Sequence, residues 1–161
     1  MTSILSDQII QSLISEPKLV PANFGSKLSP RKVINGSYSS GIDVTGINGS
    51  KFHVYIRVAA RDSNNFSAGL GHYKNDISRL FLLKRYNGKH YHFNPIENIS
   101  FTDYHIHTAT KRYQQHGKGQ EEKYAIVTDR YSDFHGALEC LLYDCGFLRE
   151  QTTLASLEDD L

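Results

Sequence analysis

The stretch "SSGIDVTGINGSKFHVYIRVAA", residues 39–60, decides the fold because it places a turn signal between two alternating runs. Asn48-Gly49 is a strong signal for a hairpin turn. After the turn, apolar and polar side chains alternate, with Phe52, Val54, Ile56 and Val58 on one face and His53, Tyr55 and Arg57 on the other. The pattern predicts a β-hairpin whose apolar face meets a core and whose other face is polar.

Two further segments predict additional antiparallel strands. "SRLFLLKRYNGKHYHF" reads as a second hairpin that turns at Asn87-Gly88. "DYHIHTATKRY" and "EEKYAIVTD" are expected to form a third strand pair around the loop "QQHGKGQ". The alternation of these strands is typical of a sheet with one buried face.

Both ends of the chain predict helices. Residues 3–15 are expected to form an amphipathic helix through Leu5, Ile9 and Leu13. Residues 133–145 predict a second helix, with Ser132 as cap, Gly146 as stop and a core stripe of Phe134, Leu138, Leu141 and Leu142. The order predicts an α+β domain over residues 1–149, a mostly antiparallel sheet with an N-terminal and a C-terminal helix packed on one face.

Charge and composition limit the classes of partner. The chain has 161 residues and a net charge of +1, but residues 150–161 hold four acidic side chains and no Lys or Arg. Without that segment, expected to be a flexible acidic tail, 18 basic and 13 acidic side chains remain, which permits RNA binding. Residues 1–20 lack a basic signal-peptide start, and no apolar run approaches the ~18 residues of a membrane span. We therefore expect a cytoplasmic protein without a membrane partner.

Histidines are concentrated in "HYHFNPIENISFTDYHIHTATKRYQQHG", residues 90–117. His90 and His92 would share one face of a strand, as would His105 and His107. The spacing of His90, His92 and Glu97 matches His-x-His-x4-Glu, the first metal motif of cupins. A second cupin motif is missing, so we expect no cofactor and no tightly bound transition metal, with those three residues as the alternative ligand set.

Proton-transfer chemistry needs fewer matched residues. Metal-independent RNA cleavage uses a base, an acid and a cation for the phosphate, and histidine can serve as both acid and base near neutral pH. His105 and His107 are the candidate acid and base, with Arg57 as phosphate ligand and Tyr55 as donor. The candidate substrate-binding residues are His53, His90, His92, Lys111, Arg112 and Tyr113. Histidines with packing or surface roles remain the alternative.

Several pieces together carry a resemblance that covers roughly residues 50–146: "FHVYIR" (52–57), "NFSAGL" (65–70), "LKRYNGKHYHFNP" (83–95), "YHIHTAT" (104–110), "YAIVTDRYSD" (124–133) and "ALECLLYDC" (137–145). They resemble a group of small bacterial and mobile-element proteins with an R-x-NG…H hairpin, an H-x-H-x-A-T strand and Y-A-x-x-T-D-x-Y before a final helix. The resemblance implies a phage or mobile-element setting, such as toxin–antitoxin, defence or counter-defence, and no assigned catalytic residue.

The leading hypothesis is thus a metal-independent ribonuclease or RNA-binding, toxin-like protein. The first alternative is a non-enzymatic mobile-element protein that binds a protein partner, as an inhibitor or in counter-defence. The second is a cupin-like metal-binding protein. The sequence does not identify a substrate, a partner or an oligomeric state.

Overall fold

The computed structural model describes residues 3–29, 32–74 and 79–148. The elements are α1 (Asp7–Ser15), β1 (Lys18–Leu19), α2 (Phe24–Leu28), β2 (Lys32–Ile34), β3 (Ser37–Thr45), β4 (Lys51–Ala59), β5 (Asp62–Tyr73), β6 (Leu80–Asn87), β7 (His92–Asn94), β8 (Ile99–Phe101), β9 (His105–Thr108), α3 (Lys111–His116), β10 (Ala125–Val127), α4 (Phe134–Asp144) and β11 (Phe147–Leu148). The predicted tail, residues 150–161, lies outside the described residues.

A seven-stranded antiparallel sheet organises the protein, in the order β10-β9-β6-β5-β4-β3-β2. The α+β prediction, with helices near both ends of the chain, is confirmed. Phe52, Val54 and Ile56 of β4 are buried, whereas His53, Tyr55 and Arg57 are partly exposed. The predicted alternation of β4 is therefore correct, and it separates an apolar core face from a polar face.

Helices α1, α2 and α4 pack on the apolar face of the sheet. In α4, Ala137, Leu141 and Leu142 are buried in the core, and the predicted Phe134 and Leu138 pack at its margin. The cap is Asp133, whose carboxylate accepts from the Gly136 N–H at 2.7 Å, and not the predicted Ser132. An acidic cap one residue closer to the first turn satisfies the same unpaired amide groups.

Helix α1 begins later than predicted and buries a different side. Ile10 and Ile14 are buried, while the predicted core residue Ile9 is 49% exposed. Two overlapping series of apolar residues, each spaced by four, run through this helix. Only the position of the sheet decides which series turns inward.

Of the two predicted Asn-Gly hairpin turns, one is confirmed and one is wrong. Asn48-Gly49 joins the antiparallel strands β3 and β4, and Gly49 has a φ of +88°. At Gly88 the chain continues alongside β5, because its N–H donates to the Phe66 carbonyl at 2.8 Å. A Cβ at residue 88 would lie 2.0 Å from the Asn64 carbonyl oxygen. This glycine therefore permits a close backbone approach rather than a turn.

The segment after Gly88 also pairs differently from the prediction. Strand β6 lies between β5 and β9, while β7 pairs with β8 in a separate two-stranded hairpin. The predicted pairing of β9 with β10 is confirmed. Between these strands, however, the residues "KRYQQH" form α3, since the Thr110 hydroxyl accepts from the Tyr113 N–H and starts a helix.

A buried lysine joins the ends of two helices. Lys18 is fully buried, and its Nζ lies 2.7–3.0 Å from the carbonyl oxygens of Leu13, Ile14, Glu16 and Cys145. These carbonyls belong to the ends of α1 and α4, where the backbone leaves acceptors unpaired. Lys18 therefore ties the N-terminal and C-terminal helices together.

None of the helices in the described part of the chain has the length and apolar character to cross a bilayer.

Candidate functional site

Two rows of side chains cross the polar face of the sheet. Directly opposed residues of antiparallel strands share a face. The strand register therefore sets one row, which is Arg57, Ser67, Asn87 and His105, and beside it a second row, which is Tyr55, Gly69, Arg85 and His107. The rows begin in an open groove on β3–β5 and end in a buried histidine cluster on β9. Strand order thus joins residues that are up to 52 positions apart in the chain.

The groove has a volume of about 650 Å³. Its polar lining consists of Asn35, Ser37, Ser39, Ser40, His53, Tyr55, Arg57, Ser67 and Arg85. Glycines form the floor: a Cβ at Gly41 would lie 2.6 Å from His53 Nε2, and one at Gly69 would lie 2.1 Å from Tyr55 Cζ. The missing side chains let the two rings lie flat across neighbouring strands, which keeps the groove open. Its volume is within the range of ligand pockets, about 300–1,000 Å³.

His53 and Asp43 form a dyad at one end of the groove. His53 Nδ1 lies 2.7 Å from Asp43 Oδ1, and that carboxylate also accepts from the Tyr73 hydroxyl at 3.0 Å. The hydrogen bond with His53 is the main reason that the pKa of Asp43 is lowered. Because Asp43 is ionised and accepts at Nδ1, the Nε2 atom of neutral His53 carries the lone pair. A partly exposed imidazole held in one tautomer can act as a general base.

Two arginines give the groove its positive charge. Arg57 donates only to neutral oxygens, Ser37 Oγ at 3.3 Å and Asn65 Oδ1 at 3.1 Å. Within the described ranges it makes no ion pair with a carboxylate. Arg85 lines the groove from β6 and lies 3.1 Å from Glu122 Oε2. An arginine without a carboxylate partner is suited to bind an anion.

Tyr55 lies between these arginines in the strand register. Burial raises the pKa of its hydroxyl to about 12, so the group keeps its proton at neutral pH and can donate a hydrogen bond. His53, Tyr55, Arg57 and Arg85 therefore bring a base, a neutral donor and two cations to one groove. Tyr55 and Arg57 both line the groove, and the roles predicted for them stay predictions.

The histidine cluster occupies the other end of the rows. His105 and His107 have no exposed surface and His92 is 7% exposed. Ring centroids lie 4.6 Å apart for His92 and His107, 5.1 Å for His105 and His107, and 5.3 Å for His92 and His105. The β7–β8 hairpin covers the cluster, and its Phe101 ring lies 5.3 Å from the His105 ring. His90 joins from the loop before β7, 4.8 Å from His105.

Burial disfavours the protonated form of these histidines. It lowers the pKa of His105 to about 4 and that of His107 much further, and it lowers the pKa values of His90 and His92 as well. All four are neutral at pH 7, and His105 and His107 do not line the groove. The assignment of His105 and His107 as acid and base stays a prediction, and the geometry favours His53 for the base.

The remaining predicted residues lie apart from both features. The Glu97 carboxylate, expected beside His90 and His92, accepts from the Arg112 guanidinium and from the Tyr113 hydroxyl. Lys111 is exposed at the start of α3, where its backbone N–H donates to Asp7 Oδ1 at 2.9 Å. The cupin-like set is therefore not brought together. Lys111, Arg112 and Tyr113 do not line the groove.

No protein-family model, curated protein or solved structure matches this chain. The resemblance to mobile-element proteins consequently stays a prediction, and function must be argued from the site. Sequence reasoning missed three residues of that site: Asp43, Arg85 and Asn87. Asp43 lies opposite His53 because the loop between Thr45 and Lys51 sets the strand register. A two-residue turn at Asn48-Gly49 would have placed Asp43 opposite Val54, so the turn signal alone does not identify this pair.

Proposed function

We propose that this protein binds RNA in the polar groove and cleaves it without a metal ion. The observation that carries the proposal is the groove itself, which combines an Asp43-oriented His53 with Arg57 and Arg85 around Tyr55. RNA supplies its own nucleophile, the 2′-hydroxyl, so the protein needs only to move protons and stabilise charge. The mildly basic body of the chain is consistent with an RNA ligand.

The proposed reaction is an internal transesterification. His53 Nε2 takes the 2′-hydroxyl proton, and the 2′-oxygen forms a bond to phosphorus as the bond from phosphorus to the 5′-oxygen breaks. Arg57 and Arg85 offset the charge that gathers on the phosphoryl oxygens, and the Tyr55 hydroxyl donates a hydrogen bond to the leaving oxygen. That oxygen takes its proton from water entering the open groove. The products carry a 2′,3′-cyclic phosphate and a 5′-hydroxyl.

The test compares single histidine substitutions on labelled single-stranded RNA. His53→Ala is expected to lower the cleavage rate by about 10²–10⁴-fold, the usual loss when a general base is removed. His116→Ala, at the exposed end of α3, is the matched control and should cleave like wild type. Equal cleavage by His53→Ala would contradict the assignment. A loss of cleavage that is seen only in His105→Gln would instead assign the acid–base chemistry to the buried histidine cluster.

The toxin-like part of the proposal has its own experiment. Induced expression of wild type is expected to slow bacterial growth and to fragment cellular RNA, while His53→Ala at equal protein level does neither. Growth arrest by both forms would show that toxicity does not depend on the groove. The protein would then act in its mobile-element setting by a mechanism other than cleavage of RNA in the groove.

A second function, binding of a protein partner, is favoured by the outer face of the β7–β8 hairpin. Tyr91 is 66% exposed, Phe93 37% and Ile99 53%, so this small hairpin presents apolar side chains to solvent. Exposed aromatic groups are common at the centres of protein interfaces. If RNA is neither bound nor cleaved, in vivo crosslinking should recover one defined partner with wild type. That crosslink should be lost in Tyr91→Lys.

A further inference from the structure

We propose that His92, His105 and His107 bind a divalent transition-metal ion of the zinc class beneath the β7–β8 hairpin. This site adjoins the groove at Arg85, which lines the groove and also lies 3.3 Å from His107 Nε2. Zinc binding is measured directly and is not a step of the proposed cleavage, so the failure of one proposal can be told from the failure of the other. Each of the three buried residues can offer one ring nitrogen, and these nitrogens all lie within 4.8 Å of one another. Three imidazoles form a known zinc ligand set in proteins.

Hydrogen bonds hold each imidazole with a lone pair available. His105 Nδ1 lies 2.8 Å from the Asp103 carbonyl oxygen, and His107 Nδ1 lies 2.8 Å from the Glu122 carbonyl oxygen. Each Nδ1 must therefore be the protonated nitrogen, because a carbonyl can only accept. The lone pair of each neutral ring is consequently on Nε2. Such outer hydrogen bonds are how proteins orient metal-binding histidines.

His92 is held by a side chain whose own orientation is determined by the backbone. Asn94 Nδ2 donates to the Ala125 carbonyl at 2.8 Å, and Asn94 Oδ1 accepts from the Ala125 N–H at 3.1 Å. The amide cannot flip without losing both bonds. Its Oδ1 therefore accepts from His92 Nε2, at 2.7 Å, which leaves the lone pair of His92 on Nδ1. Each of the three buried imidazoles thus keeps one nitrogen with an available lone pair.

Few protein donors reach these nitrogens. Asn87 Nδ2 lies 3.4 Å from His105 Nε2, and Arg85 Nη2 lies 3.3 Å from His107 Nε2. Both hydrogen bonds are longer than the usual 2.7–3.2 Å. Among the buried polar atoms of the described chain that lack a hydrogen-bond partner are Arg85 Nε, Asn87 Oδ1 and His90 Nδ1. A metal ion would satisfy the lone pairs, and a water molecule on the metal could donate to Asn87 Oδ1.

The architecture allows the small closure that a metal requires. Zinc–nitrogen bonds of about 2.0–2.1 Å in a tetrahedral site imply nitrogen pairs ~3.4 Å apart. His105 and His107 lie on β9, inside the main sheet, whereas His92 lies on the separate β7–β8 hairpin. A small adjustment of the His92 side chain towards β9 brings the nitrogens closer without breaking the main ladder, while the Asn94–Ala125 hydrogen bonds keep β7 beside β10. Arg85 must turn away from His107, and Glu122 Oε2, 3.1 Å from its guanidinium, is the anion that can hold it.

The experiment uses the full chain without a histidine tag. Protein treated with EDTA and freed of chelator is loaded with Zn²⁺, separated from unbound ion and assayed for bound zinc. We expect one equivalent in wild type and in the control His116→Ala, and at least ~10-fold weaker binding in His92→Gln and Asn94→Ala. Less than a tenth of an equivalent in wild type would overturn the proposal, as would unchanged binding in a folded His92→Gln.

A second measurement on wild type keeps the proposal falsifiable if a variant does not fold. X-ray absorption at the zinc edge should show three imidazole ligands at about 2.0–2.1 Å. Fewer than three imidazoles would show that the ion lies elsewhere and would overturn the assignment. Bound zinc should also raise the unfolding temperature, since a ligand that binds only the native state stabilises it. Zinc that is bound without such a rise would contradict a native buried site.

Discussion

Arg57 gives the sharpest quantitative prediction, because among the described residues this groove cation has no carboxylate partner. Arg57→Gln removes one charge and keeps a side chain that can still bond Ser37 Oγ or Asn65 Oδ1. A hydrogen bond from a charged donor contributes about 1.5–3 kcal/mol. The expected loss of RNA affinity is therefore about 10–150-fold, since ~1.4 kcal/mol corresponds to a factor of ten in Kd.

Salt dependence provides a second, independent value. Each phosphate neutralised on a single strand contributes about −0.7 to the slope of log K against log salt concentration. Arg57→Gln should make that slope shallower by about 0.7, as measured by fluorescence anisotropy with a labelled RNA over a salt series. The control is Arg61→Gln, an exposed arginine in the turn between β4 and β5. A slope that stays unchanged in Arg57→Gln, or that changes equally in both variants, would refute the placement of a phosphate beside Arg57.

Two stability predictions follow from buried charges. Burial lowers the pKa of Lys18 to about 8, which leaves it charged at pH 7. Lys18→Met should thus lower the free energy of unfolding, measured by urea denaturation, by about 3–5 kcal/mol, because several buried carbonyls lose their donor. The control, Lys51→Met at an exposed position, should lower it by almost nothing. Burial opposes ionisation of Asp144, but hydrogen bonds from Arg130 and Tyr86 outweigh it and lower the pKa of that carboxyl. Asp144→Asn should cost about 1.5–3 kcal/mol at pH 7. The stability difference between wild type and Asp144→Asn should shrink as the pH falls below ~3.9 and through the lowered pKa of the folded state, because the wild-type carboxylate then becomes protonated and neutral, like the amide. A stability difference that stays constant down to pH 2 would contradict this prediction.

The predictable part of the fold is the part that local chemistry determines. The alternation of β4 and the turn at Asn48-Gly49 agree with each other, and a shift of one residue would have placed Phe52 and Val54 in solvent. Helix α4 has a clear start and stop, and Gly146 ends it with a φ of +74°. In such segments the sequence pattern and the tertiary structure require the same arrangement.

The wrong predictions arose where one sequence signal serves two structural purposes. Asn87-Gly88 has the same letters as Asn48-Gly49, yet Gly88 is needed because the Asn64 carbonyl passes too close for any side chain. That contact joins residues 24 positions apart, so no local pattern could indicate it. The face of α1 was also undetermined, because only its packing distinguishes Ile10 from Ile9.

For the same reason, only part of the candidate site could be predicted from the sequence. The sequence correctly pairs His105 with His107 on one face of a strand, and it places Tyr55 and Arg57 on the polar face of β4. It could not show that β7 folds over β9 rather than beside it, which buries the histidines instead of exposing them. Arg85 acquires its place only through the strand order β9-β6-β5, a nonlocal property.

The most direct test of the central claim is the cleavage of single-stranded RNA by wild-type protein in the presence of EDTA, compared with the same sequence in 2′-O-methyl form. We predict that the RNA is cut, that its fragments end in 2′,3′-cyclic phosphate, and that the methylated strand stays intact because its nucleophile is blocked. This pattern of cleavage requires only that side chains of the groove transfer protons and bind the phosphate. RNA left intact by the protein, free and with ribosomes present, or cleavage of both strands alike, would contradict the account.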